Sequence, residues 1–104
     1  MSVLMTLRVK GDAAELERRA EANPAAMQEI RDRAVTRGLI AHRFFANDDG
    51  EILVLDEWES EDGFRRFFAE STEIPGLMAE IGVRDEPEIR FWRKLETGDD
   101  VGWD

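Results

Sequence analysis

The sequence contains no cysteine and no tyrosine, and its single histidine is His42. Without cysteine, the chain can form no disulfide, no thiolate nucleophile and no zinc–thiolate site. Without tyrosine, it lacks one common proton donor for phenolic substrates. One histidine cannot build a histidine-based metal site, and no spacing of carboxylates signals a site of another kind. We therefore expect no bound metal ion.

Long apolar runs and a basic surface are missing too. No apolar stretch approaches the roughly 18 residues that a membrane-spanning helix needs. Residues 1–9 lack the charged start and cleavage pattern of a signal peptide. The 104 residues carry a formal net charge of −10 at pH 7. Such a surface repels nucleic-acid phosphates and anionic lipids. We expect a soluble cytoplasmic protein that binds neither nucleic acid nor membrane.

Several functional motifs are absent, and so are signs of a second domain. The chain has no phosphate-binding glycine loop, nucleophile elbow or metalloprotease motif, so we expect no bound cofactor. Its length fits one domain, which we place at residues 1–95, followed by an acidic tail at 96–104. Trp103 in that tail could dock on a partner subunit, dock on its own domain, or be disordered.

The elements that are present follow from apolar periodicity and end signals. We predict strands at residues 3–9, 39–46, 51–58 and 88–95. We predict helices at 13–22 after Asp12, at 24–37 after Asn23, at about 61–70 after Ser60, and at about 75–81. The second helix would face inward through Met27, Ile30, Ala34 and Val35, and the last helix through Leu77, Met78 and Ile81. The order strand, helix, strand, strand, helix, strand predicts an α+β, ferredoxin-like βαββαβ fold with a four-stranded antiparallel sheet.

A hairpin signal joins the two central strands. The run Asn47-Asp48-Asp49-Gly50 is typical of a tight turn. A two-residue turn puts Arg43 opposite Asp56 and His42 opposite Glu57, and a four-residue loop keeps the same faces. Arg43, Asp56 and Trp58 would then share one face of the sheet. Both faces are mostly apolar, which predicts a cover on each side: helices on one, a partner subunit on the other.

The run Asp56-Glu57-Trp58-Glu59-Ser60, which leads into an aromatic helix, carries a family resemblance together with Gly38 and the strand order. Over about residues 3–95 the chain resembles the antibiotic biosynthesis monooxygenase-like group of the dimeric α/β-barrel superfamily. The resemblance implies a homodimer whose two sheets close into a barrel, with a pocket between the helices and sheet of each subunit. The group includes cofactor-free quinone-forming monooxygenases and haem-degrading enzymes.

The chain departs from the haem-degrading branch at three places. Phe67 stands where that branch has a Trp on the aromatic helix, and its Asn on the first strand falls near Thr6. That branch binds iron through a histidine where this chain has Pro75-Gly76-Leu77-Met78. We therefore do not expect haem degradation.

Seven residues are candidates for a site. His42, Arg43 and Asp56 could orient a substrate or exchange protons with it. Arg43 and Asp56 could equally form a cross-strand ion pair, and His42 could pair with Glu57. The aromatic side chains could line a pocket for a small aromatic ligand or form an ordinary core; these are Trp58, Phe64, Phe67 and Trp92.

Two functions are the main candidates from the sequence, and a third, an interaction module for a larger complex, would need an exposed apolar patch beyond the dimer face. The first is cofactor-independent oxidation of a small aromatic or quinonoid compound. The second is a non-catalytic homodimeric ligand-binding or stress-related protein. Whether the aromatic side chains fill the helix–sheet cavity or leave it open separates the two, because a filled cavity leaves an enzyme without a site.

Overall fold

A computed structural model describes residues 1–102 as four strands and four helices. The strands are β1 (Val3–Lys10), β2 (Leu39–Ala46), β3 (Glu51–Trp58) and β4 (Glu88–Trp92). The helices are α1 (Ala13–Ala22), α2 (Pro24–Thr36), α3 (Glu61–Glu70) and α4 (Ile74–Glu80). The strands pair antiparallel in the order β2-β3-β1-β4. This is the α+β ferredoxin-like fold that the sequence predicts. The alternatives for Trp103 lie outside the described residues.

Three helices begin at the caps that the sequence marks. The side chain of Asp12 accepts a hydrogen bond from the backbone N–H of Glu15 at 3.0 Å. Asn23 accepts from Ala26 at 3.3 Å, and Ser60 accepts from Gly63 at 3.1 Å. Each cap satisfies a backbone donor that the first helical turn leaves without a partner. Within residues 1–102, no helix is both long and apolar enough to cross a bilayer.

The core lies between the helices and one face of the sheet, which we call the inner face. Alternate residues of β1 are buried there: Met5, Leu7 and Val9. The predicted inward position of Val35 is wrong, because its side chain is 54% exposed while the preceding Ala34 is buried. A step of one residue rotates the side chain by about 100° around the helix, so the two residues face different ways.

The β2–β3 hairpin has a different register from the predicted one. Asn47 pairs with Glu51 through its backbone N–H and the carbonyl oxygen at 3.2 Å, which leaves a three-residue loop at residues 48–50. Gly50 takes a φ of +76°, a left-handed conformation typical of such loops. As a result His42 lies opposite Asp56, and Arg43 lies opposite Leu55.

The predicted facing pairs are therefore wrong, and the error moves side chains between faces. An offset of one residue carries every side chain of a strand to the other side of the sheet. His42 and Phe44 consequently face the helices together with Asp56, whereas Arg43 and Phe45 share the opposite face.

A bulge interrupts the same edge strand near its start. Leu39 pairs with Trp58 and Ala41 with Glu57, so Ile40 is an extra residue without a facing partner. A bulge of this kind reverses the alternation of side chains. Leu39 therefore faces the helices, while Ile40 is 53% exposed.

The last strand is shorter than predicted. It ends at Trp92 rather than Leu95, and its pairing with β1 ends at Leu4 opposite Trp92. Among residues 1–102 it pairs with β1 alone, and β1 begins at Val3, so little strand remains for further residues to pair with. Just beyond, Lys94 contacts Asp100 at 2.7 Å and Glu96 at 3.3 Å.

The other side of the sheet, which we call the outer face, has no helix of residues 1–102 packed on it. At its centre lie Leu4, Leu53 and Leu55, flanked by the half-exposed Phe45 and Trp92. The indole N–H of Trp92 donates to the hydroxyl of Thr6 at 2.9 Å, which lays the ring along this face. The outer face is thus apolar at its centre and open.

Candidate functional site

A cavity of about 180 Å³ lies between the inner face of the sheet and the helices. Its floor is formed by β1 and β3, including Leu7, Ile52 and Val54, and its roof by α2 and α4. The roof residues are Met27, Ile30, Leu77 and Met78. Since nearly all of these side chains are apolar, the cavity favours an apolar guest and disfavours water.

One end of this cavity is polar, and it is centred on Asp56. The residue is only 5% exposed, although it carries a carboxylate. Oδ1 lies 2.7 Å from Nδ1 of His42, and Oδ2 accepts a hydrogen bond from the indole Nε1–H of Trp58 at 3.0 Å. Both carboxylate oxygens therefore have a partner, which a buried carboxylate requires.

The contact with Asp56 orients the ring of His42. A carboxylate only accepts hydrogen bonds, so it favours the imidazole tautomer that carries its proton on Nδ1. The lone pair of the neutral ring is then on Nε2, the nitrogen that does not face Asp56. Phe44 packs edge-to-face against the ring, with centroids 4.8 Å apart, and restricts its rotation. Such a pair is suited to accept a proton from a ligand in the cavity.

Aromatic rings form one wall of the cavity without filling it. Trp58 packs against Phe64 and Phe67 with centroid distances of 5.6 Å in each case, and Phe68 stacks on Phe64 at 5.3 Å. Trp58, Phe64 and Phe67 are at most 7% exposed and still border open space. These rings do not fill the cavity, so space for a ligand remains between the helices and the sheet.

The structure brings five of the seven sequence candidates together. His42 and Asp56 form the polar end of the cavity, and Trp58, Phe64 and Phe67 border it. Arg43 and Trp92 instead lie on the outer face, on the far side of the sheet. The expected pairs of Arg43 with Asp56 and of His42 with Glu57 do not form, because His42 contacts Asp56.

The sequence reasoning did not count the helical roof as part of the site. Met27 and Ile30 were marked only as the inner side of α2, and Leu77, Met78 and Ile81 only as the inner side of α4. These five side chains border the cavity. Their helical spacing was the available signal, because an inward stripe lines whatever space the helix and sheet enclose.

Ion pairs hold α4 over the cavity. At its start, Arg33 of α2 donates to both carboxylate oxygens of Glu73, at 2.9 and 2.7 Å, and to the buried hydroxyl of Ser71 at 3.0 Å. The hydrogen bond from Arg33 lowers the pKa of Glu73. At its other end, Arg19 of α1 donates to Glu80 at 2.5 Å. The roof is thus fixed to the neighbouring helices by charge as well as by packing.

The charged groups nearest the cavity are already paired. Arg19 borders the cavity and contacts Glu15 as well as Glu80, and Arg31 contacts Asp32 at 2.9 Å. Among residues 1–102, no cluster of three or more His, Asp or Glu side chains is arranged to hold a metal ion.

The architecture and the site together define a class of protein: a ferredoxin-like domain with a histidine–aspartate pair at the end of an apolar helix–sheet cavity. Comparison with solved structures places the fold more closely. The cofactor-independent oxygenase SnoaB from Streptomyces nogalater superposes with a TM-score of 0.62 and 19% sequence identity, over 95% of this chain and 98% of that chain.

Two further structures have the same fold. The monooxygenase ActVA-Orf6 from Streptomyces coelicolor, in complex with nanaomycin D, gives a TM-score of 0.64 and 22% identity over 96% of this chain and 91% of that chain. A dimeric ferredoxin-like protein from an uncultured marine organism gives a TM-score of 0.65 and 15% identity over 96% of this chain and 93% of that chain. No protein-family model and no curated protein matches the sequence. At these sequence identities the comparisons establish the fold alone. They confirm that the chain resembles antibiotic biosynthesis monooxygenase-like proteins in its fold.

Proposed function

We propose that this chain is a cofactor-independent oxygenase that oxidises a small aromatic or quinonoid precursor in the helix–sheet cavity. The observation that carries the proposal is the pairing of His42 with the buried Asp56 at the end of an open apolar cavity. A base next to a dry, substrate-sized space is what proton abstraction from a weakly acidic aromatic compound needs.

The reaction can be written with these residues and molecular oxygen. Nε2 of His42 takes the hydroxyl proton of the phenol, or the CH₂ proton of its keto tautomer. Either loss leaves the same anion, which has carbanion character at a ring carbon that bears hydrogen. The carbanion gives one electron to O₂, and the two radicals combine into a peroxide anion on the same carbon. That anion recovers the proton from His42, and loss of water leaves a carbonyl. One oxygen atom ends in the quinone and the other in water.

The apolar lining supports this chemistry. A carbanion in contact with water is protonated again before it meets O₂, so the site must exclude water. Leu7, Val54 and Met78 surround the space next to the histidine–aspartate pair. The fold adds support by analogy, since two structures that share it are described as oxygenases.

A homodimer is part of the proposal. The apolar centre of the outer face, around Leu53 and Leu55, has no cover in residues 1–102. Sheet faces of this kind are stable when another layer packs on them. A second copy of the chain, sheet against sheet, supplies that layer, and one structure with this fold is described as dimeric.

The proposal is tested by oxygen consumption with a panel of one-ring phenols and two-ring naphthols, using heavy-isotope O₂ to follow the incorporated atom. We expect one labelled oxygen in the quinone and loss of at least about 100-fold in rate for His42→Ala, the usual contribution of a general base. Glu17→Gln is a control, since Glu17 is exposed on α1. Binding of panel members without oxygen uptake would favour the non-catalytic ligand-binding protein instead.

A further inference from the structure

From the size and the polar groups of the cavity we infer that its ligand is an uncharged phenol of one or two rings, with its hydroxyl group at Nε2 of His42. The inference rests on the proposed function, because it concerns the same site. It goes further in naming the size, the charge and the orientation of the molecule that the site accepts.

The size follows from the volume. An engineered apolar cavity of about 150 Å³ in another protein holds one benzene molecule. The present cavity, at about 180 Å³, has room for one ring and for part or all of a second fused ring. A third ring needs space that Phe68, Ile30 and Met78 occupy at the walls.

The charge follows from the partners of the ionic side chains. The carboxylate of Asp56 contacts Trp58 and His42, and the guanidinium of Arg19 forms ion pairs with Glu15 and Glu80. A charged ligand group in the cavity would be buried without a counter-charge, which is strongly unfavourable.

The surface charge of the protein disfavours anions as well. A depression between α2 and α4 shares Ile30 and Leu77 with the cavity, and Glu29 lies in it beside the ion-paired Glu73 and Glu80. The net charge of −10 repels a carboxylate on approach.

The orientation follows from the single polar handle. His42 borders the cavity, and with its Nδ1–H donated to Asp56 its remaining hydrogen-bonding atom is Nε2, an acceptor. A phenolic hydroxyl can donate to it while the rings lie among Val54, Phe67 and Met78. An apolar ring without a hydroxyl leaves that nitrogen without a ligand partner.

Equilibrium binding of four fluorescent or calorimetrically detectable probes tests the inference without requiring turnover: 2-naphthol, naphthalene, 3-hydroxy-2-naphthoate and 9-phenanthrol. We expect 2-naphthol to bind best. Naphthalene should bind about fivefold more weakly, as expected for one lost hydrogen bond. The carboxylate should bind at least about 100-fold more weakly, because its charge would be buried unpaired.

Variants separate the contributions. His42→Ala should remove the preference for 2-naphthol over naphthalene. Met78→Ala should admit 9-phenanthrol, with a gain of at least about tenfold, and Phe68→Leu provides a second enlargement if Met78→Ala fails to fold. Val35→Ala is the matched control, because this exposed residue lies on α2 away from the cavity.

The outcomes are distinct from those of the oxygenase test. Wild-type protein that binds the carboxylate or 9-phenanthrol as tightly as 2-naphthol, or that binds none of the four probes, would overturn the inference. The predicted selectivity without oxygen uptake by any phenol supports the inference while rejecting the oxygenase.

Discussion

At the scale of single residues, Asp56 has the most demanding position. Its carboxylate is 5% exposed and depends on one hydrogen bond from Trp58 and one contact with His42. The sequence marked all three residues as candidates because of their types. It could not pair them, since the pairing depends on which way the edge strand faces.

The first prediction concerns the tautomer of His42. In Asp56→Asn, the amide oxygen can still accept from Trp58, which leaves the NH₂ group toward His42, where Nδ1 must become an acceptor. The neutral ring should then carry its proton on Nε2, which can no longer accept a proton or a hydrogen bond. Nitrogen NMR detects the change directly, and His42 is the only histidine, so its signals need no assignment.

The corresponding truncation should destabilise the fold. Asp56→Ala leaves the buried indole N–H of Trp58 without an acceptor, and we expect unfolding to become easier by about 1–3 kcal/mol. Urea unfolding of the wild type and of Asp56→Ala gives this value, with Glu17→Gln as the control.

The NMR measurement also tests the wild type. If its neutral His42 carries the proton on Nε2, the geometry described for the histidine–aspartate pair is contradicted.

At the scale of elements, the contact between α2 and α3 depends on Gly63. A Cβ atom at this position would lie 2.2 Å from the carbonyl oxygen of Arg37 at the end of α2, a backbone atom that cannot move alone. Gly76 in α4, by contrast, has nothing within 4 Å of the corresponding point. Position 63 therefore requires glycine, whereas position 76 has room for a side chain, although both positions lie in helices.

We predict opposite effects for the same substitution at these two sites. Gly63→Ala should destabilise the protein by about 1–3 kcal/mol or more, as overpacking does. Gly76→Ala should stabilise it by up to about 1 kcal/mol, because alanine favours the helix. Thermal and urea unfolding check both, and equal effects would show that α3 does not approach α2 as described.

The link between α2 and α4 should be sensitive to acid. Because Arg33 lowers the pKa of Glu73, ionised Glu73 stabilises the fold above the ordinary carboxylate pKa. That contribution is lost as the pH falls through the lowered pKa of Glu73. Arg33→Gln should therefore lower the Tm near neutral pH, and the difference from wild type should shrink as the solution is acidified below about pH 4.

Melting curves between neutral pH and pH 3 test this prediction. Arg84→Gln serves as the control, since it removes the same charge at an exposed position outside α2 and α4. A difference between Arg33→Gln and wild type that stays constant across the range would mean that the ion pair with Glu73 is not its source.

At the scale of the whole molecule, the sequence predicted the fold well and the faces of one strand poorly. Alternating strands, caps at Asp12, Asn23 and Ser60, and the order of elements all depend on local patterns, which a sequence displays directly. The hairpin register depends on whether its loop has an even or an odd number of residues. Both loop lengths fit Asn47-Asp48-Asp49-Gly50, and a positive φ at Gly50 is compatible with either. The pairing of Asn47 with Glu51 shows that the loop has three residues.

The assembly is the prediction that belongs to this scale. We expect light scattering at micromolar concentration to give about twice the chain mass of 11.9 kDa, with dimer contact through the outer face. Leu55→Glu places a charge at the centre of that face and should produce monomers. Val35→Glu, at an exposed position on α2, should not. A stable wild-type species of 11.9 kDa would refute the dimer.

The odd-numbered hairpin loop also bears on how such a protein can change over evolutionary time. Deletion of one residue from loop 48–50 would restore the even register and turn β2 over as a unit. Arg43 and Phe45 would then face the cavity, and His42 and Phe44 would face away from it. A single codon lost or gained in an exposed turn would thus exchange the chemical groups of the site without any substitution within the strand itself. The length of this turn therefore decides which side chains of β2 border the cavity.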